Sequence, residues 1–270
     1  MRDTARRPSN GSISQRNNVR VYGNGEPILF AHGFGCDQSM WRFVAPAFSD
    51  HTAVLLDHVG CGASDIRAYD EGKYSTLEGY ADDIIEIGRH LALKNAVFVG
   101  HSVSSMIGAL AVKKAPDLFK KLVMVAPSPR YINDDAYVGG FSQEQIDELL
   151  AFMESNYIEW ASQMAPVIMG NPHRPELSDE LTNSFRNTTP AIAKHFARVT
   201  FTGDYRAELA TVDIETLILQ CSDDPIAPTE VGKFVHDQMP NSELVLLEAT
   251  GHCPQLSAPS EVISEMAQFV

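Results

Sequence analysis

Gly100-His101-Ser102-Val103-Ser104 is the stretch of this sequence with the clearest capacity for chemistry. A strand-forming run, Val97-Phe98-Val99, stops at Gly100, and an apolar segment from Val103 to Lys114 follows Ser102. That order reads as a strand, a sharp turn and a helix, with a hydroxyl presented at the turn. It fits G-x-S-x-G, where the residues two before and two after the serine must be small because the turn crowds them. Ser104 replaces the second glycine and is still small. The turn also aims the first amides of the next helix, and the positive end of its dipole, at the hydroxyl. A serine that merely caps a helix is the plainer alternative. Partners elsewhere in the chain weigh against it.

A serine hydroxyl is a weak nucleophile until a base takes its proton. Among nine histidines, His252 is the best candidate, because "EATGHCP" places it after a glycine and a buried strand, late in the chain. An acid should orient that imidazole, and "QCSDDPIAP" supplies Asp223 and Asp224 after another buried strand. Asp224, beside the loop-shaping Pro225, is preferred, with Asp223 as the alternative. The order Ser…Asp…His is the one expected of α/β-hydrolases. Backbone amides must then stabilise a developing oxyanion. Val103, just after the serine, supplies one. Phe34 in "AHGFGCDQ" supplies the other, and its ring would line the pocket. His32 reads as a residue that shapes this loop, and His101 as pointing the wrong way to be the base.

The positioning elements follow from patterning. "VRVYGNGEPILFAHG" reads as strand, turn, strand, and "TAVLLDHVGCGASD" as a buried strand ending in a glycine-rich loop. Ser75-Thr76-Leu77-Glu78 fits a capping box ahead of a helix whose apolar positions Leu77, Tyr80, Ala81, Ile84, Ile87 and Leu91 keep the helical period. "KLVMVAPSP", "ETLILQCSDD" and "SELVLLEATGH" read as further strands, with helices from about Thr229 and Ser260. The alternation predicts an α/β fold: a mostly parallel central sheet flanked by helices. Between Tyr131 and Glu208 it stops, in favour of several helices, one starting with a capping box at Ser142 and Gln145. The expected organisation is a flexible tail over 1–17, a core over 18–130 and 209–270, and a helical lid over 131–208.

With 270 residues, 44% of them hydrophobic, the chain can bury one large core. Its net charge of −14 repels phosphate backbones and anionic membranes, so neither nucleic acid nor a membrane is an expected partner. Four scattered cysteines make no zinc or disulfide framework, and the polar start lacks a secretory h-region. The expected setting is cytoplasmic, and no cofactor or metal is called for.

"AHGFGCDQSMWRFVAPAF", "LLDHVGCGASDIRAYD", "VFVGHSVSSMIGAL", "LVMVAPSPRYIND", "LILQCSDDPIAP" and "ATGHCPQLS" together resemble the RsbQ family of α/β-hydrolases. That family comprises bacterial regulators of a general-stress sigma factor and the related plant karrikin and strigolactone receptors. The resemblance runs from about Asn18 to the end of the chain. It implies the α/β-hydrolase fold, a Ser102–Asp224–His252 triad, oxyanion amides at Phe34 and Val103, and a four-helix lid. By position it also implies that Phe34, Trp160, Met164, Phe196, Val199 and Phe201 line a small apolar pocket. Met164 stands where the plant receptors tend to carry an aromatic.

Two functions are therefore expected. One is a serine hydrolase of the esterase or lactonase type, acting on a small apolar ester or lactone through an acyl-enzyme. A C–C bond hydrolase or a cofactor-free perhydrolase would share the triad; a dehalogenase or epoxide hydrolase would carry a carboxylate at the elbow. The other is a ligand sensor of the stress response with little turnover. As for RsbQ, the resemblance associates it with a regulatory partner, a phosphatase bearing a PAS domain.

Overall fold

In the computed structural model, which describes residues 13–270, seven strands make one sheet. They are β1 (Arg20–Tyr22), β2 (Pro27–Ala31), β3 (Thr52–Leu55), β4 (Ala96–His101), β5 (Phe119–Val125), β6 (Glu215–Asp223) and β7 (Ser242–Thr250). Their spatial order is β1-β3-β2-β4-β5-β6-β7. The β1–β3 pair is antiparallel and the remaining pairs are parallel. β4 sits mid-sheet and is buried at every position, as a parallel strand with helices on both faces must be. Its residues alternate between layers: Val97 and Val99 join Ile28 and Phe30 on one face, while Phe98 joins Leu29 and Ala31 on the other. Each such fully buried aliphatic or phenyl side chain contributes about 1.5–3 kcal/mol.

The first helix, α1 (Ile13–Arg16), corrects the expectation of a flexible tail over 1–17 for residues 13–17 alone. Residues 1–12 lie outside the described residues. Ser14 and Asn17, however, are buried, and Asn17 Nδ2 donates to the Asp57 carbonyl at 3.0 Å. The physical reason is Asp83, a fully buried carboxylate that needs positive partners. Arg16 reaches it at 2.9 Å, Lys73 at 2.5 Å, and the Tyr74 hydroxyl donates to it at 2.8 Å.

Asp83 lies on α2 (Leu77–His90), whose predicted apolar stripe is buried from Leu77 to Ile87, with Leu91 half-buried at the C-cap. Its predicted capping box is not formed. Ser75 spends its hydroxyl on the Gly72 carbonyl at 2.8 Å, and Thr76 becomes the N-cap without a side-chain bond. A serine in a turn often satisfies itself locally in this way. Next comes α3 (Val103–Lys114), then a helical layer between β5 and β6: α4 (Gln143–Ser155), α5 (Tyr157–Met169), α6 (Pro175–Asn187) and α7 (Pro190–Thr202). Both bonds of the capping box at Ser142 and Gln145 are present. α5 stops at Gly170 in the left-handed conformation, and α6 and α7 each begin on proline, which suits a first helical position. The chain finishes with α8 (Arg206–Leu209), α9 (Thr229–Gln238), α10 (Pro254–Ser257) and α11 (Pro259–Phe269). Among the described residues no helix is long and apolar enough to cross a membrane.

Candidate active site

Parallel strands deliver loops to one edge of a sheet, and three of those loops converge here. Ser102 follows β4, Asp224 follows β6 and His252 follows β7. His252 Nε2 lies 2.8 Å from Ser102 Oγ, and His252 Nδ1 lies 2.7 Å from Asp224 Oδ2. All three are buried. The network fixes the tautomer: Nδ1–H donates to the carboxylate, leaving Nε2 to accept from the hydroxyl.

Local backbone explains how each arrives. Ser102 has φ 56° and ψ −123°, a conformation that costs of order 1–3 kcal/mol for a residue other than glycine. Its neighbours enforce it. The Ser102 amide donates to the Val125 carbonyl at 2.8 Å, and the Ser105 amide donates back to the Ser102 carbonyl at 2.9 Å. A Cβ at Gly100 would lie 2.3 Å from the Ser104 carbonyl oxygen, so only glycine fits there. Of the two neighbouring aspartates, Asp224 is the one that meets the imidazole. Its Oδ1 accepts the amides of Ile226 at 2.8 Å and Ala227 at 3.1 Å, which turns Oδ2 toward the imidazole. Asp223 is exposed. The backbone of His252 is pinned twice: its amide donates to the Ile168 carbonyl at 2.8 Å, and its carbonyl accepts from His101 Nε2–H at 2.7 Å. His101 Nε2 is thus committed to a backbone carbonyl and makes no hydrogen bond to Ser102 Oγ among the described residues.

Among the described residues, the amides of Phe34 and Val103 donate to no protein acceptor. Val103 is the first residue of α3, where helix amides have no intrahelical partner. The Phe34 loop needs Gly35 at φ 71°, where any Cβ would strike the Phe185 ring at 1.8 Å. The Phe34 ring meets those of Trp160, Phe185, Phe196 and Phe201 with centroids 5.6–6.2 Å apart.

Above Ser102 lies an apolar cavity of about 30 Å³. Phe34, Trp160, Met164 and Phe201 line it. Phe196 and Val199 do not. They belong to the core layer behind the cavity, where Phe196 stacks on Tyr80 at 4.5 Å between centroids. Tyr131, Phe141, Leu149, Ile168, Leu181 and Phe185 also line the cavity and were not singled out from the sequence. Tyr131 matters most: its hydroxyl lies 3.3 Å from Ser102 Oγ, and burial pushes its pKa up, keeping it a donor. The one available signal was its place just past β5, which neighbours β4.

A model of the alpha/beta hydrolase family matches residues 28–265. The chain belongs to this family. The hydrolase is 39% identical to a probable esterase of Oryza sativa subsp. japonica, over 96% of this chain and 97% of that one. It is 38% identical to the Karrikin insensitive 2 receptor CA of Petunia hybrida, again over 96% and 97% of the two chains. Among solved structures it superposes on a hydrolase from Oleispira antarctica with a TM-score of 0.93 and 41% identity, over 95% of each chain. The plant receptors named by resemblance are thus among the relatives of this hydrolase.

Two buried histidines beside the site give the hydrolase a pH-dependent stability. Burial lowers the pKa of His101 to about 3 and that of His58 well below its ordinary value. In the unfolded chain both would titrate near about 6.5. The unfolded state therefore binds more protons below that pH, so the contribution is complete above it and is lost progressively as pH falls toward 3. The expected result is a melting temperature that falls steeply between pH 7 and pH 4.5. His101→Gln, measured by the same thermal scans, should flatten that dependence.

Proposed function

We propose that this hydrolase cleaves small apolar esters or lactones, with Ser102 as nucleophile, His252 as the proton carrier and Asp224 as its orienting carboxylate. The observation that carries the reading is the unbroken path Asp224–His252–Ser102, with links of 2.7 and 2.8 Å, ending at a strained turn. Ser102 Oγ attacks the carbonyl carbon as its proton passes to His252 Nε2. The imidazolium is stabilised by Asp224, and the amides of Phe34 and Val103 receive the oxyanion. Collapse expels the alkoxide, which takes the proton from His252. Water then gives a proton to His252, attacks the acyl group and releases the acid while Ser102 recovers its proton. The aromatic walls favour apolar groups and exclude bulk water. Hydrolysis of p-nitrophenyl acetate and butyrate by the wild type, lost in Ser102→Ala, tests this reading.

A second reading, a ligand sensor whose slow hydrolysis resets a signal, is favoured by the 30 Å³ cavity under four helices and by a relative named as a receptor. A regulatory partner, of the PAS-domain phosphatase type by resemblance, belongs to it. Turnover below about one per minute, together with a ligand-induced change in melting temperature that Ser102→Ala retains, would select this reading.

Cavity shape supports a further expectation about chain length. Cys36 and Leu181 line the Ser102 cavity and also a larger outer cavity of about 470 Å³. Leu181→Ala should open this wall. The ratio of kcat/KM for octanoyl over acetyl p-nitrophenyl esters is expected to rise about tenfold or more. The cavity should also cost about 2–5 kcal/mol of stability, read by urea unfolding.

A further inference from the structure

Ser104 sits where the elbow asks only for a small residue, yet its hydroxyl is fully engaged. Its Oγ–H donates to the His32 carbonyl at 2.5 Å, and Oγ accepts from His58 Nε2–H at 2.7 Å. The His58 amide donates to His32 Nε2 at 3.0 Å, and His32 Nδ1–H donates to the Gly33 carbonyl at 2.8 Å. The two rings meet edge-on, centroids 4.7 Å apart. Ser104, His32 and His58 are wholly buried. The loop after β2, the loop after β3 and the first turn of α3 are thus joined in one closed set of bonds. Glycine at position 104 would leave the His58 Nε2–H donor and the His32 carbonyl without this shared partner, which is costly in a dry site.

The carbonyl that Ser104 holds belongs to the residue two before Phe34. The far side of the same loop is held from the same place: Asp57 Oδ1 accepts the Gln38 amide at 2.8 Å, while its Oδ2 accepts from Asn18 Nδ2 at 2.7 Å and the Ala63 amide at 2.9 Å. Asp57 and His58 together grip both ends of the segment 32–38. Preorganised donors stabilise an oxyanion only when held within a fraction of an ångström of the right place.

We propose that Ser104 and His58 are positioning residues, which act through the His32 carbonyl to fix the Phe34 amide where the carbonyl oxygen of the reacting ester becomes negative. Resting on the hydrolase reading above, this assigns a purpose to the departure from G-x-S-x-G. Neither residue touches the substrate.

The test uses two rates on the full chain: kcat and KM for p-nitrophenyl acetate, and the rate at which a fluorophosphonate labels Ser102, whose phosphoryl oxygen needs the same amides. Ser104→Ala and His58→Leu are expected to lower both kcat and the labelling rate about 10- to 100-fold, with KM within threefold. His58→Gln, which keeps an N–H donor, should recover most of the loss. If Ser104→Ala does not fold, the Leu and Gln variants at position 58 carry the comparison. Unchanged rates in both Ser104→Ala and His58→Leu, with only a lowered melting temperature, would overturn the proposal. Should the wild type label at Ser102 but turn over no ester, the hydrolase reading fails alone, and the labelling rates still decide the positioning role.

Discussion

Ser102→Ala is expected to lower kcat for p-nitrophenyl butyrate by about 10⁵- to 10⁶-fold, with little change in KM and an unaltered far-UV spectrum. The size follows from what Ser102 does in the proposed path. Its Oγ is the atom that bonds to the carbonyl carbon, and Tyr131, the hydroxyl beside it, is no substitute, because burial holds that phenol in its protonated, poorly nucleophilic form. Binding should survive because the walls that grip the substrate, such as Phe34, Trp160 and Phe201, are untouched. Steady-state kinetics on freshly prepared variant checks this. A loss of less than tenfold would mean that hydrolysis takes place elsewhere.

Asp224→Asn is expected to lower kcat about 10⁴-fold, while Asp223→Asn changes it less than twofold. The carboxylate accepts His252 Nδ1–H at 2.7 Å and the amides of Ile226 and Ala227 on its other oxygen. Asparagine keeps the size and its oxygen can keep the two amide bonds. Its NH₂ group then faces Nδ1 and favours the tautomer with the proton on Nε2, which cannot accept from Ser102. The imidazolium also loses its buried counter-charge. Asp223 is exposed and faces none of these groups. Kinetics of the two variants side by side separates them, because both carry the same change of charge.

Much of this architecture was legible in the sequence, for reasons that vary by element. The elbow was visible because its steric demand leaves a mark: Gly100 and Ser104 are small, and α3 begins at Val103 as expected. His252 was readable because a glycine and a buried strand precede it. Asp224 was preferred to Asp223 for its neighbour Pro225, but the amides of Ile226 and Ala227 that turn its carboxylate toward the imidazole leave no pattern in the sequence. Phe196 and Val199 were placed in the pocket by position in the family resemblance, but α7 has apolar residues facing both the cavity and the core. Periodicity shows that such a helix is buried, not which side holds ligand. Tyr131 went unread because it lies in a loop without a pattern, and only the order of strands brings it to Ser102. The segment from Ile13 to Asn17 read as tail for a similar reason: its anchor, Asp83, is far along the chain and looks like one more surface charge on a helix.

The proposed mechanism is tested most directly by the crystal structure of the protein after reaction with a p-nitrophenyl alkylphosphonate. A single phosphonyl group is expected on Ser102 Oγ, its free oxygen about 2.7–3.1 Å from the amides of both Phe34 and Val103. His252 Nε2 should remain within hydrogen-bond reach of the ester oxygen. A group attached to any other residue, or an oxygen turned away from both amides, would contradict it.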